Sequence, residues 1–164
     1  MTTKATYQQI INELQRLHID YQIIDHPAAE TTAQADQYIA SYEGVRTKSM
    51  FLHDKHHNFY MIIMDDTKPL NFHKFQAITG TKRVSMATPT EIMEQLGLVP
   101  GIISPFGLMN NTAHNVAVYF DKAMLQEPIL TFHPNENTHT IFLKSSDVMK
   151  FLTAHQYEYQ IIDL

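Results

Sequence analysis

The stretch from Gly97 to Leu108 constrains the fold of this chain more than any other. It holds three glycines and two prolines within twelve residues, although the whole chain of 164 residues has only five glycines and seven prolines. Proline fixes φ and removes a backbone donor, whereas glycine permits φ > 0 and close approach of another backbone. The stretch therefore predicts a stiff loop between two regular elements, and its apolar side chains predict that the loop packs against the protein.

The hydrophobic pattern around this loop predicts helices and strands that do not alternate strictly. Helices are expected from Tyr7 to about His18, from Thr32, from Phe72, from Pro89 and after a cap at Ser145 or Ser146. Strands are expected at Tyr21–Asp25, Thr47–His53, Phe59–Met64, Arg83–Ala87, Val116–Phe120, Ile129–Phe132, Thr138–Leu143 and Tyr157–Ile162. This order favours an α+β fold with a mixed, curled sheet in a single domain spanning residues 1–164.

Composition excludes several classes of protein. The formal net charge of −5 argues against a long groove for duplex nucleic acid, so we expect no DNA partner. The chain has no cysteine, which excludes a disulfide, a thiolate zinc site and a thiol nucleophile. Its start lacks the apolar core of a signal peptide, and no stretch has the length of a membrane span. We expect a soluble cytoplasmic protein with no membrane partner.

Lys48 and His133 are the side chains that stand out as candidates for chemistry. Lys48 opens a strand that otherwise has the composition of a core strand, so it is either exposed at an edge or directed into a cavity, where it could hold a carbonyl or phosphate oxygen. His133 ends an apolar strand, precedes a proline and is followed four residues later by Asn137. His133 could have a structural role in the turn, or His133 and Asn137 could orient a polar substrate.

The loop itself is the second candidate. The N–H groups of Gly101, Ile102 and Ile103 could together hold a carbonyl or an anion, as in a backbone nest. An ordinary crossover loop is the alternative.

The ten histidines do not predict a metal site. His53, His56 and His57 lie in or beside a predicted hairpin turn, where solvated side chains are expected, and the chain has no HExxH pattern. Neither a GxSxG elbow nor a glycine-rich nucleotide loop is present, and Ser104 precedes a proline instead of occupying a strand-to-helix turn. We expect neither a metal nor a cofactor.

Three segments together resemble the YbaK/ProX family of aminoacyl-tRNA deacylases. They are Thr47–Leu52, the segment from Gly101 to Leu108, and Phe132–Pro134 with Asn137. The resemblance covers nearly the whole chain, including His26, and is strongest to freestanding prolyl-tRNA editing proteins. It implies a barrel-like mixed sheet flanked by helices.

The resemblance also implies roles for individual residues. The family's lysine falls on Lys48, its GxxxP loop on the segment from Gly101 to Pro105, and its histidine on His133, which gives Lys48, Gly101 and His133 as the expected catalytic positions. The expected substrate-binding residues are Ile102, Ile103, Ser104, Pro105, Phe106, Asn137 and His26.

The implied reaction is hydrolysis, in trans, of the ester that joins a wrong amino acid to the tRNA for proline, with alanine the expected amino acid. The implied partner is the 3′ acceptor end of the aminoacyl-tRNA, bound by a monomer. Two alternatives stay open: a protein that binds tRNA ends or amino acids without hydrolysis, and a small-ester hydrolase without a tRNA partner.

Replacing Lys48 by alanine is predicted to reduce deacylation strongly while leaving the fold intact, because Lys48 is a lone lysine at the start of an apolar strand and falls on the position of the family's lysine. Deacylation rate and thermal melting should both be measured. A variant that melts normally and keeps the wild-type rate would exclude a functional Lys48.

Overall fold

The structure, a computed structural model, describes residues 6–164. Five α-helices are present: α1 (Tyr7–Arg16), α2 (Thr32–Tyr38), α3 (Phe72–Thr79), α4 (Pro89–Leu96) and α5 (Ser145–Ala154). Eight strands are present: β1 (Gln22–Asp25), β2 (Val45–His53), β3 (Phe59–Asp65), β4 (Ser85–Met86), β5 (Val116–Asp121), β6 (Ile129–Phe132), β7 (His139–Lys144) and β8 (Tyr159–Ile162). Two 3₁₀ helices, Pro105–Asn110 and Lys122–Gln126, complete the regular structure.

The strands form one mixed sheet in the order β1-β7-β6-β2-β3-β5-β8, with β4 paired to β2. The β2–β3 hairpin and the β6–β7 pair are antiparallel, whereas β2–β6, β3–β5 and β5–β8 are parallel. The predicted α+β fold with a mixed sheet is confirmed.

The β2–β6 pairing is a short seam that joins the two halves of this sheet. Only Val45 with Leu130 and Arg46 with Thr131 are paired, in parallel. Two side-chain hydroxyls reinforce the seam: Thr47 Oγ1 donates to the Thr131 carbonyl, and Thr131 Oγ1 donates to the Val45 carbonyl over 3.0 Å. Lys48 and His133 each follow the Arg46–Thr131 pair by two residues, which places them on one face of the sheet.

The two faces of the sheet are covered by different elements. The main hydrophobic cluster packs one face against α1, α4, α5 and the first 3₁₀ helix, with Leu14, Leu96, Phe106 and Phe151 among its fully buried members. A second cluster forms on the opposite face, where Phe75 of α3 packs with residues such as Leu52 and Tyr60. Because β3 is covered on both faces, six of its seven residues are buried.

Local capping explains why most helices begin where the sequence predicts. Thr6 and Thr88 form capping boxes with Gln9 and Glu91, and Asn71 accepts from the Lys74 N–H. The predicted cap of α5 at Ser145 or Ser146 is wrong. The N-cap is Lys144, whose side chain makes no capping bond, because β7 runs directly into the helix.

The segment after Gly97 differs from a simple loop. Residues Pro105–Asn110 form a 3₁₀ helix, and Ser104 caps it by accepting from the Phe106 N–H over 3.2 Å. Phe106 is fully buried and packs edge-on against Phe132 and Phe151. The packing predicted for this stretch is thus present, and its back half belongs to the core.

Among the described residues, no helix combines the length and the apolar character that crossing a bilayer requires.

Gly44 permits the close approach of chains at the seam. Its φ is +146°, and an added Cβ would lie 3.2 Å from Ile129 Cγ2, 3.2 Å from Thr131 Cγ2 and 3.3 Å from Phe142 Cδ1. A side chain here would therefore meet both backbone strain and three packed neighbours.

Gly44→Ala is predicted to destabilise the protein by more than Gly80→Ala. Gly80 also has positive φ, +71°, but open space around its missing Cβ, so that variant carries only the conformational strain of roughly 1–2 kcal/mol. Crowding at Gly44 adds roughly 1–3 kcal/mol. Denaturant unfolding of both variants measures the difference, and equal losses of stability would contradict the crowded seam.

Candidate functional site

A cavity of about 190 Å³ collects several of the residues singled out in the sequence. It is lined by Ala29, Glu30, Thr31, Gly101, Ile102, His133 and Asn137. These residues come from three separate segments: the approach to α2, the glycine- and proline-rich stretch, and the β6–β7 turn. Four predicted site residues, Gly101, Ile102, His133 and Asn137, are thereby brought together.

Hydrogen bonds hold the three segments against one another. Ser104 Oγ donates to Asn135 Oδ1 over 2.9 Å, which ties the glycine-rich stretch to the β6–β7 turn. Asn137 Nδ2 donates to the Ala29 carbonyl over 3.2 Å, and the Ala29 N–H donates back to the Asn137 carbonyl over 3.1 Å. The cavity walls are therefore fixed by polar contacts and not by hydrophobic packing alone.

His133 lines this cavity and has one ring nitrogen without a hydrogen-bond partner. Its Nδ1 is buried and has no hydrogen-bond partner among the described residues. Burial lowers the pKa of the imidazole, and the neighbouring His26 lowers it further, against the opposing effects of a hydrogen bond to the His139 backbone and of Glu136. Because a backbone bond that raises a histidine pKa is one in which the ring donates, Nε2 carries the proton and Nδ1 keeps its lone pair.

His26 lies beside the cavity but does not line it. Its Nδ1 donates to the Pro27 carbonyl over 2.9 Å, and its Nε2 accepts from Thr140 Oγ1 over 2.8 Å. The ring also stacks on Tyr38, with the ring centroids 5.3 Å apart. Both ring nitrogens are thus engaged, and direct contact with a ligand in the cavity would require breaking one of these bonds.

Lys48 does not line the cavity either. It shares a face of the sheet with His133, but its charged neighbourhood includes Asp66, which follows β3. The expected cation therefore lies outside the lining that brings together the other two expected catalytic positions, Gly101 and His133.

Gly101 has a backbone conformation that L side chains rarely adopt. Its φ is +95°, it is exposed, and an added Cβ would have open space within 4 Å. The predicted nest is incomplete, because the Ile102 N–H donates to the Val99 carbonyl over 3.4 Å. The N–H groups of Gly101 and Ile103 have no partner among the described residues, so two of the three expected donors stay available.

Four predicted binding residues face the protein instead of the cavity. Ser104, Pro105 and Phe106 are buried, and Ile103 packs partly against the main hydrophobic cluster. The apolar side chains turn inward because the 3₁₀ helix directs them into the core. Contact between these side chains and a ligand in the cavity would have to be indirect, through the position of the loop.

The histidines of the hairpin turn divide into two groups. His56 and His57 are exposed, as expected of a solvated turn. His53 is not simply solvated, because its Nδ1 lies 2.7 Å from a Glu91 carboxylate oxygen and its Nε2 lies 2.9 Å from Ser85 Oγ. Within residues 6–164, no three histidine and acidic side chains are grouped so that they could hold a metal ion.

Sequence reasoning missed two acidic residues, Asp66, which interacts with Lys48, and Asp36, which interacts with Asp66. Asp66 directly follows the buried strand β3 and lies against Asp36 of α2. A carboxylate at the end of a buried strand is a signal that could have been noticed. Nothing in the local pattern of α2 marks Asp36, because the contact joins segments thirty residues apart.

Comparison with known proteins gives a consistent set of relatives. A family model described as the aminoacyl-tRNA editing domain matches residues 26–151. The prolyl-tRNA editing protein ProX of Acetoanaerobium sticklandii is 28% identical over 158 residues, which cover 96% of either chain. Prolyl-tRNA synthetase associated domain-containing protein 1 of Danio rerio is 25% identical over 146 residues, covering 88% of this chain and 79% of that protein.

A solved structure gives the same result for the fold. A crystal structure assigned provisionally as a trans-editing enzyme for prolyl-tRNA synthetase superposes with a TM-score of 0.73 at 19% identity. The superposition covers 99% of this chain and 98% of that chain, so the whole architecture is shared.

His133 is predicted to titrate below the ordinary imidazole pKa of about 6.5. NMR titration of the histidine ring signals measures this, and the signal that is lost in His133→Gln assigns it. Because burial lowers the folded-state pKa, the unfolded chain binds more protons than the folded protein just below pH ~6.5, so this group reduces stability as the pH falls. A His133 pKa at or above the ordinary value would contradict the buried, neutral ring.

Proposed function

The chain belongs to the aminoacyl-tRNA editing domain family, and from this we propose that it is a deacylase acting in trans on tRNA(Pro) carrying a wrong amino acid, with alanine as the expected one. The observation that carries the proposal is the small cavity that His133, whose ring Nδ1 has no partner among the described residues, lines together with Gly101. The working partner is the acceptor end of the aminoacyl-tRNA, met in the cytoplasm.

The size of the cavity supports a small acyl group. Its volume of about 190 Å³ is below the roughly 300–1,000 Å³ of sites for drug-sized ligands. Such a site rejects larger side chains by steric clash, whereas a synthetase that selects a larger amino acid cannot strongly exclude a smaller one by binding alone. A separate site that admits only small amino acids would therefore remove the errors that such a synthetase cannot avoid.

The lining offers polar groups suited to an aminoacyl ester. The unused N–H group of Gly101 is a donor for an oxyanion that develops on the ester carbonyl. The Glu30 carboxylate is an acceptor for the α-ammonium group of the amino acid. In this arrangement Lys48 acts from the other side of the seam, by holding oxygens of the nucleotide that bears the ester.

His133 supplies the proton acceptor in the proposed mechanism. A water oxygen attacks the ester carbonyl carbon while one of its protons passes to the lone pair on Nδ1. The tetrahedral intermediate then loses the ribose oxygen, which takes that proton, and the products are the free amino acid and a tRNA with a free ribose hydroxyl. No protein nucleophile is required, because an aminoacyl ester is already activated and positioning supplies much of the rate.

The decisive experiment compares three substrates: Ala-tRNA(Pro), Pro-tRNA(Pro) and a free alanyl ester, each labelled in the amino acid. Release of label from Ala-tRNA(Pro) alone supports the proposal, and His133→Gln should lose most of that rate. Hydrolysis of the free ester at a comparable rate would indicate a small-ester hydrolase, which the net charge of −5 favours. Tight binding of tRNA without release would indicate a binding protein.

Gly101→Ala is predicted to reduce deacylation more than it reduces stability. The protein leaves open space for the added methyl group, so the cost to folding is the backbone strain of roughly 1–2 kcal/mol, whereas the methyl group would lie on the approach to the cavity. Ile103→Val is the matched control, expected to cost roughly 0.5–1.5 kcal/mol of stability with little effect on rate. Full activity in Gly101→Ala would exclude this loop as the substrate cradle.

A further inference from the structure

His53 lies between a serine hydroxyl and a carboxylate, in a geometry typical of an activated nucleophile. Its Nε2 is 2.9 Å from Ser85 Oγ, and its Nδ1 is 2.7 Å and 2.9 Å from the two carboxylate oxygens of Glu91. A hydroxyl within hydrogen-bond reach of a base that a third group orients is the diagnostic arrangement of covalent acyl-transfer sites. Such a set is recognised by its distances and roles, whatever the order of the residues in the chain.

The hydrogen bonds determine which nitrogen of the neutral His53 ring carries the proton. The Glu91 carboxylate offers only acceptors, so Nδ1 carries the proton and Nε2 keeps its lone pair. The Ser85 hydroxyl therefore donates to Nε2. In this state the ring can take the proton of a serine that attacks an ester.

Glu91 is held in place by the start of helix α4. Its Oε1 accepts from the Thr88 N–H over 2.9 Å, as part of the capping box. Burial acts to raise the pKa of this carboxyl group, but hydrogen bonds from Thr88 and His53 outweigh burial and hold the pKa below its usual value. The exposed His57 also faces Glu91, but its Nδ1 is 3.8 Å from Oε2, farther than the His53 ring. The carboxylate is thus ionised and orients His53.

Three regular elements bring the set together. His53 ends β2 and Ser85 begins β4, and the two residues are directly opposite each other in the antiparallel β2–β4 pair. Opposite residues of such a pair present their side chains on the same face of the sheet. Glu91 lies in the first turn of α4, the next element after β4. Strand pairing and a capped helix therefore fix the relative positions of all three side chains.

The set opens onto a groove of about 970 Å³ that is separate from the small cavity. The groove lining includes His53, Ser85 and Glu91, and it has no residue in common with the cavity that His133 and Gly101 line. Ser85 is exposed, so a ligand in the groove can reach it. The volume is within the roughly 300–1,000 Å³ of sites for small-molecule ligands.

The lining also offers donors for an anion. Lys55, Lys82 and Arg83 line the groove, and none of them forms an ion pair among residues 6–164. Asn115 Oδ1 accepts from Asn111 Nδ2 over 3.0 Å, whereas the amide nitrogen of Asn115 has no partner among the same residues. These groups can hold the oxyanion that develops on an ester, and a second negative charge elsewhere on the substrate.

Three acidic residues of the lining balance these cations formally, but two of them are already engaged. The buried Asp54 accepts hydrogen bonds from its own turn, and Glu91 is paired with His53. The third, Glu94, is exposed on α4. The cations are therefore available to a ligand, and the expected substrate class is a carboxylic ester that carries a negative charge.

We propose that Ser85, His53 and Glu91 form a second hydrolytic site, in which Ser85 is acylated by esters that carry a negative charge. Ser85 Oγ attacks the ester carbonyl carbon while its proton passes to His53 Nε2, and the bond to the alcohol oxygen breaks as that oxygen takes the proton. A water oxygen then attacks the acyl group and gives a proton to Nε2, and the Ser85 oxygen leaves and takes it. The products are a carboxylic acid and an alcohol. This site is additional to the proposed editing site and does not rest on it.

The first test is labelling of the whole protein by diisopropyl fluorophosphate, which phosphorylates serines that a neighbouring base activates. Intact mass gives the rate of labelling, and peptide mapping gives its position. The label should lie on Ser85, and Ser85→Ala should stay unlabelled. Ser146→Ala is the matched control, because Ser146 is exposed and has no histidine partner among the described residues, and it should label at the wild-type rate. No label on Ser85, or labelling no faster than in urea-unfolded protein, overturns the proposal.

Glu91→Gln tests the orienting role without removing the helix cap. Glutamine keeps an acceptor for the Thr88 N–H, so the melting temperature should be unchanged. Its amide nitrogen would bring a donor to Nδ1, which favours the tautomer with the proton on Nε2, and Ser85 then loses its proton acceptor. Labelling of Ser85 should slow by at least about tenfold. A variant that melts and labels as wild type does overturns the triad.

The substrate class is tested with two esters, the neutral 4-nitrophenyl acetate and the mono-4-nitrophenyl ester of adipic acid, which carries a carboxylate. Ser85→Ala should lose the turnover of both. The wild-type kcat/KM should favour the adipate ester, and Lys82→Gln combined with Arg83→Gln should reduce that preference through a higher KM for the adipate ester. Turnover at the wild-type rate in Ser85→Ala overturns the site, and an absent preference overturns the anionic substrate class.

The two proposals can fail independently. Ser85→Ala should retain the wild-type rate on Ala-tRNA(Pro), because the groove and the cavity share no lining residue. Loss of that rate in a Ser85→Ala protein that melts normally would make the two linings one site and overturn the second site. Acylation of Ser85 without any hydrolysis of aminoacyl-tRNA would support the second site and leave the proposed function wrong.

Discussion

The short parallel pairing of β2 with β6 is the contact on which the rest of this structure depends. It joins one half of the sheet, β1-β7-β6, to the other half, β2-β3-β5-β8, through only two residue pairs. The Thr47 and Thr131 hydroxyls add two hydrogen bonds between the strands to this short backbone ladder. The two expected catalytic side chains, Lys48 on β2 and His133 after β6, each follow this pairing by two residues. The pairing therefore sets the position of one side chain relative to the other.

The polar atoms left without partners gather close to the same seam. Within the described part of the chain they are Ser49 Oγ, Asp66 Oδ2 and His133 Nδ1. Elsewhere polar groups are well satisfied: the buried Asp54 accepts four hydrogen bonds from His56, Asn58 and Tyr60, which hold its pKa far below the usual range of a carboxyl group. The polar groups of the Asp54 turn are thus hydrogen-bonded, whereas polar atoms near the seam have no partner. Unpartnered polar atoms concentrated in one region are expected around a binding site.

Local chemistry made much of the fold predictable from the sequence. Capping boxes at Thr6 and Thr88 and the alternation of strand residues fix where elements begin, because each signal acts over a few residues. The parallel seam could not be predicted, since it joins positions far apart in the chain and leaves no local pattern. The interaction of Asp36 with Asp66 was missed for the same reason.

The sequence separation at the seam also bears on how the molecule folds. The β2–β3 and β6–β7 hairpins close short loops and can form early, whereas pairing Val45 with Leu130 must close a loop of about half of the chain. The entropy of such a closure is lost before its contacts compensate, and non-local parallel pairing is slow. We therefore expect the two hairpins to be ordered before the seam and the still longer-range β1–β7 pair form, so that a chain stalled at that stage would have both hairpins and none of its cavity.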